Sequence, residues 1–230
     1  MPNGKDKCRE EAVYPPPEPA AGLPGKLRIL KKERLLVISL LSAALLATLI
    51  YGTLENPFHY TFSNIGNYFP YREWYIIWAA VTGFFLYFSV ISLFRLEKYK
   101  QRFAYLSISV VPLFLVVTAL IPSVSEEMPF WHVLHRWTTF FFVMCMIFSV
   151  HPFLLYLADK KPWLSDLLRN WQLVILAGSM ASLILQGQTG IFELWFFVTT
   201  IILLIYLSWI LYTENIEAFS EVVESLELRA

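Results

Sequence analysis

The sequence predicts an all-α protein: a polytopic bundle of six transmembrane helices with both termini in the cytoplasm. Two observations predict this. Six apolar runs recur along the chain, each close to or above the roughly 17–25 residues that a spanning helix needs. The loops between them alternate between lysine- and arginine-rich and nearly free of both. Composition agrees. Of 230 residues, 57% are hydrophobic and 16% charged, whereas soluble chains carry about 25% charged residues. So much apolar surface exceeds what one water-soluble core of this size can hide, and a bilayer is its natural solvent.

The first run is Leu35 to Tyr51. It follows a polar lead and is not followed by a small-residue cleavage site, so a signal peptide is not expected. The second and third runs are Trp74 to Phe94 and Phe103 to Ile121. The fourth, His132 to Ala158, contains Pro152, where a kink is expected. The fifth, Trp171 to Gln186, is the shortest, and the sixth is Leu194 to Tyr212. Pro112 interrupts the third run and is also read as a kink. The Gly178–Ser179 pair in the fifth reads as a site of close helix packing.

Charge sets the orientation. Lys26, Arg28, Lys31, Lys32 and Arg34 precede the first run. Arg95, Lys98, Lys100 and Arg102 separate the second from the third, and Lys160, Lys161 and Arg169 separate the fourth from the fifth. Of the 18 Lys and Arg residues, all but Arg72 and Arg136 fall on this side. The positive-inside rule places that side in the cytoplasm. Trp74, Trp131, Trp137, Trp171 and Trp195 lie near run ends, as an interfacial belt requires.

The domain boundaries follow. Residues 1–34 read as a disordered, basic cytoplasmic tail whose Pro15–Pro19 segment resembles a polyproline ligand. Residues 35–212 form the six-helix domain. Residues 213–230 read as an acidic amphipathic cytoplasmic tail, because Ile216, Phe219, Val222, Val223 and Leu226 recur at helical spacing among glutamates. That acidity argues against an anionic-lipid anchor.

Several classes of function are disfavoured. Zero net charge and the lack of a basic domain leave no case for nucleic acid. Cys8 and Cys145 form no redox pair. No Asp, Glu or Lys lies deep in a run, as an ion-coupled transporter would require. A haem is also unsupported, since His135 and His151 lie about 24 Å apart along one helix. No cofactor is expected. The anticipated partners are membrane lipids and other membrane proteins. No sequon or retention motif distinguishes a plasma or inner membrane from an endomembrane.

The outer side carries the remaining chemistry. The first outer loop, GTLENPFHYTFSNIGNYFPYRE, interleaves His59, Ser63 and Asn64 with aromatic residues. Such a loop is expected to fold back onto the helix ends or to lie in the interface. Gly66 is expected to supply a tight turn or a positive φ. The second outer loop holds Glu126 and Glu127 and leads into WHVLHRW, which puts His132, His135 and Arg136 on one helix face. Glu193 follows the third.

The segment TFSNIGNYFPYREWYIIWAAVTGFF, with the HVLH start of the fourth run, resembles a superfamily of six-span membrane proteins that includes the DRAM/FRAG/Sfk-type proteins. Ser63, Asn64, Ile65 and Gly66 match its (I/F)-S-D-x-G signature, with Asn64 in place of the acid, and His135 matches its span-opening histidine. The resemblance implies six spans with both termini inside. For some members it also implies work in lipid-anchor remodelling or autophagy-linked membrane processes. The Asn64 departure counts against any role needing a carboxylate at that position.

The expected site is therefore an outer-facing polar pocket lined by His59, Ser63, Asn64, His135 and Arg136, binding a lipid headgroup or similar amphipathic ligand in a lipid- or partner-binding regulatory protein. One alternative is a lipid-active hydrolase or transferase. In it Ser63 would act as nucleophile and His59 or His135 as base, with Glu126 or Glu127 orienting the imidazole. No GxSxG elbow accompanies them. A metal-dependent version would use His59, His132 and His135, although HExxH is absent. A second alternative is a transporter or channel for a small solute.

Overall fold

The computed structural model describes residues 23–124, 127–187 and 189–227. Among these, seven helices and no strand are present: α1 (Leu23–Gly52), α2 (Phe62–Tyr68), α3 (Arg72–Leu96), α4 (Arg102–Leu120), α5 (Pro129–Lys160), α6 (Pro162–Gln186) and α7 (Gly190–Glu227). All but α2 are long and apolar enough to cross a membrane. The proline-rich lead lies outside the described residues, as do Ser125 and Glu126.

The helices extend past the apolar runs because polar ends can be helical too. Helix α1 begins at Leu23 and takes in the basic residues from Lys26 to Arg34, which the sequence alone assigns to a disordered tail. Helix α6 starts at Pro162, a residue pre-set for a first helical position, so the shortest apolar run sits in a 25-residue helix. Helix α7 continues unbroken for 38 residues into the acidic amphipathic segment. Pro112 and Pro152 both lie inside continuous helices.

The spanning helices close a ring in the order α1, α3, α4, α5, α6, α7, and α3 also meets α7 across the centre. Spanning helices adjacent in sequence are thus adjacent in space, and α2 packs on α3. Large apolar side chains such as Phe84, Phe88, Leu113 and Ile184 are exposed on the outside of the ring, as a lipid-facing surface requires. Inside it, Thr48, Thr82, Ser89 and Ser208 are fully buried. Small hydroxyl side chains of this kind let helix backbones approach closely.

The two ends of the bundle differ in chemistry. At one end lie the start of α1, the α3–α4 and α5–α6 connections and the distal part of α7. Here Glu97, 2% exposed, receives Lys160 at 2.7 Å and Lys161 at 3.5 Å. Asn215 Nδ2 reaches its other face at 3.4 Å, and the Tyr156 hydroxyl donates to its carbonyl at 2.9 Å. Lys161 also pairs with Glu214. Sequence patterning did not single out this cluster, which ties the α3–α4 turn to α5, α6 and α7. The turn itself ends α3 in a Schellman arrangement. Tyr99 N–H donates to Phe94 O, Lys98 N–H to Arg95 O, and Lys98 has φ 55°. The rings of Tyr99 and Phe94 touch at 5.0 Å, which is the hydrophobic contact that accompanies this motif.

Candidate functional site

At the opposite end the first interhelical loop folds onto the bundle, one of the two placements its aromatic content predicts. Part of it is helical. Thr61 caps α2, its Oγ1 accepting from Asn64 N–H at 3.1 Å. The buried side of α2 is Phe62, Ser63, Ile65 and Gly66. Gly66 has no positive φ. It is needed for another reason: the Tyr75 ring lies where a Cβ would stand.

Phe62 is the plug. Its ring meets Tyr51, Trp78 and Phe197 with centroids 5.5, 4.9 and 6.1 Å away. Its backbone is held on both sides. The Tyr51 hydroxyl donates to its carbonyl at 2.8 Å, and its N–H donates to Glu193 Oε2 at 2.5 Å. The preceding loop docks on α7 as well, with Ile191 N–H donating to Pro57 O at 3.0 Å. A Cβ at Gly190 would collide with the Tyr60 carbonyl, so this docking depends on a residue without one.

Below α2 lies a cavity of about 90 Å³. Helix α3 contributes Tyr75 and Trp78, α4 contributes Leu115 and Thr118, and α5 contributes His135, Thr139, Phe142 and Val143. Helix α7 adds Phe192, Glu193, Phe196 and Phe197, and Phe62 closes the top. Trp78 is locked in place, donating from Nε1 to Thr48 Oγ1 at 3.2 Å and stacking on Tyr51 and Tyr75. Phe142 and Phe197 stack at 5.7 Å between α5 and α7.

The polar lining comes from three helices. His135 is buried, and its Nδ1 lies 3.3 Å from Ile121 O. Thr139 Oγ1 donates back to His135 O at 2.9 Å. Thr118 is 3% exposed, and its hydroxyl has no hydrogen-bond partner among the described residues. Glu193 is half-buried, with Oε1 unpartnered among the described residues. Thr139, Val143, Phe192 and Phe196 are also half-buried and form a rim between α5 and α7, which otherwise hardly touch. Helix α6 contributes no described residue to the lining. It leans on α7, where Trp195 packs against Gly178 and donates to Val174 O at 3.2 Å. Its last turn is bare, with Ile184 74% and Leu185 80% exposed.

Of the residues expected to line a pocket, the structure brings only His135 to this cavity. His59 is exposed and lies edge-on to Tyr60. Ser63 is buried, but its hydroxyl shares a 2.9 Å hydrogen bond with Thr61 Oγ1 in the α2 cap. Asn64 is half-buried in the same turn, and Arg136 is exposed with no ion pair or side-chain hydrogen bond among the described residues. Arg72 is instead the anchored cation at this end, bonded to Asn67 Oδ1 and to the Leu120 carbonyl, each at 2.5 Å. The histidines do not converge. His132 lies 3.3 Å from Ser123 Oγ, whereas His135 turns to Ile121. No group of three or more potential metal ligands occurs among the described residues.

Sequence reasoning passed over Thr118, the aromatic wall and the part played by Glu193. Glu193 did leave a signal, being the one acid between Trp171 and Tyr212. Comparison of the chain with known protein families, curated proteins and solved structures finds no match. The site's own geometry therefore carries the functional conclusion.

Proposed function

We propose that this protein binds an amphipathic membrane component, a lipid, in the cavity beneath α2, and that recognition rather than chemistry is its task. The lysine-rich end then faces the cytoplasm and the cavity lies toward the outer leaflet, in keeping with the positive-inside rule. One observation carries this reading: a histidine, a carboxylate and an unpartnered threonine hydroxyl from three helices line one cavity inside a membrane-spanning bundle. Ionisable groups buried within spanning helices are costly and mark functional sites by default. The half-buried rim between α5 and α7 offers entry from the lipid side. At about 90 Å³ the cavity is well below the roughly 300–1,000 Å³ of a pocket that engulfs a whole ligand. It suits one small group of a molecule whose remainder stays in the bilayer.

Hydrolysis or transfer through Ser63 has less support, because that hydroxyl is engaged in the α2 cap. The test is lipid retention. Native mass spectrometry of the detergent-purified protein should show a lipid bound to the wild type. The bound lipid should be lost from Val143→Trp, which fills the rim, and kept by Leu113→Trp on the outer surface of α4. Equal retention by both variants would refute the cavity as the site.

A further inference from the structure

The lining points to a particular chemical group. Among the described lining residues seven are aromatic, and Glu193 is the one acidic or basic residue besides His135. No Lys or Arg lines the cavity, and none forms an ion pair with Glu193 among the described residues. Arg72, which belongs to the same end, is spent on Asn67 and on the last turn of α4. A carboxylate that stays ionised in these surroundings is stabilised by a partner of opposite charge. Glu193 Oε2 is satisfied by the Phe62 N–H, which leaves Oε1 for that partner.

We propose that the cavity takes a substituted ammonium group of the choline type, held by Glu193 and by the aromatic lining, with Phe192 and Phe196 at its rim. The proposal rests on the cavity being a ligand site and names the chemistry that fills it. Aromatic walls attract cations through the ring quadrupole, and aromatic cages of this kind recognise quaternary ammonium ligands. A metal ion does not fit, since calcium takes six to eight oxygen ligands and this lining is mostly carbon. A primary ammonium needs an acceptor for each of its three N–H groups, whereas an alkylated one presents methyl groups to the rings. Anionic groups are repelled by Glu193. The orphan Thr118 hydroxyl, 3% exposed and on the cavity wall, is then available to an oxygen attached next to the ammonium carbon chain. Such a group exists both as a lipid headgroup and as a free solute.

Calorimetric titration of the full chain in a maltoside detergent, which carries no ammonium group, tests this. One arm uses choline and its uncharged isostere, in which carbon replaces the nitrogen. The other uses short-chain phosphatidylcholine and phosphatidylglycerol of equal chain length. Choline or phosphatidylcholine is expected to bind at least tenfold more tightly than its uncharged or anionic counterpart. Glu193→Gln, which keeps an acceptor for the Phe62 N–H, should erase that preference. Phe196→Leu, at the half-buried rim, should weaken the cation several-fold and provides a second variant should the first lose its fold. Preference for free choline assigns a solute, and preference only for phosphatidylcholine assigns a headgroup. Equal binding of charged and uncharged probes would overturn the ammonium assignment. So would a preference that survives Glu193→Gln. In either case the cavity itself would stand if Val143→Trp abolished binding. If no probe binds while lipid retention persists, the ammonium assignment alone falls. If retention is also lost, both readings fall.

Discussion

The Phe62 amide donates a 2.5 Å hydrogen bond to Glu193 across 131 residues of chain, joining the start of α2 to the first turn of α7. An acid in a first turn is favoured by the helix dipole, and here it also accepts a donor that α2 cannot satisfy internally. The loop between α1 and α3 therefore forms the closed roof of the cavity.

Phe62→Ala should destabilise the protein by about 3 kcal/mol, the low end for a phenylalanine truncation. The lost contacts are those with Tyr51, Trp78 and Phe197. Thermal unfolding in detergent would measure the loss, and proteolysis of the 53–61 loop should speed up in parallel. Gly190→Ala should also release that loop, by pushing the Tyr60 carbonyl off α7. Gly25→Ala, where nothing lies within 4 Å, should leave the loop docked and serves as the comparison.

Lys98→Gly is expected to raise stability by about 0.5–1 kcal/mol. Lys98 holds φ 55° at the end of α3, a conformation that costs a side chain with a Cβ and not glycine. A midpoint unchanged or lowered on denaturation would show that the lysine earns its place by a contact of its own.

Removing the Glu97 side chain should cost about 1.5–3 kcal/mol, the range for hydrogen bonds to charged groups. Two lysines would lose their common counter-charge. Lys161→Ala should cost more than Lys160→Ala, because Lys160 is 43% exposed and Lys161 15%. Melting of the three variants under one detergent condition gives the ranking.

Tyr99, in the α3–α4 turn, has its phenol pushed up by burial, and it donates a hydrogen bond to Gln101. A raised value favours the neutral form in the folded state. Its contribution is therefore fully present below the unfolded value of about 10 and is lost as pH rises through the folded one. Wild type should match or exceed Tyr99→Phe by up to about 1 kcal/mol near neutrality. That advantage should shrink only above about pH 10. Unfolding of the pair between neutral and alkaline pH checks the sign.

Orientation is open to a direct test. In a chain with Cys8 and Cys145 replaced, a cysteine at exposed Phe58 should react with an impermeant maleimide on intact cells. One at Arg169, 70% exposed at the other end, should react only after permeabilisation. The reverse pattern would put the cavity on the cytoplasmic side.

The apolar runs and the spacing of lysine and arginine determined six spans and the grouping of the loops at two ends. A bilayer leaves the backbone no choice but helix, so both features are local and can be read from one chain. Helix ends were less legible, since the basic start of α1 and the acidic end of α7 are helical without being apolar. The cavity was decided only by tertiary structure. His135 shares a sequence motif with Arg136, yet one is buried and the other exposed, because the turn of α5 sends neighbouring side chains to different faces. Thr118 looks unremarkable in its own segment, and Glu193 stands out only as a lone acid in an apolar stretch. They meet His135 because α4, α5 and α7 converge beneath α2, and no local pattern in the chain records that convergence.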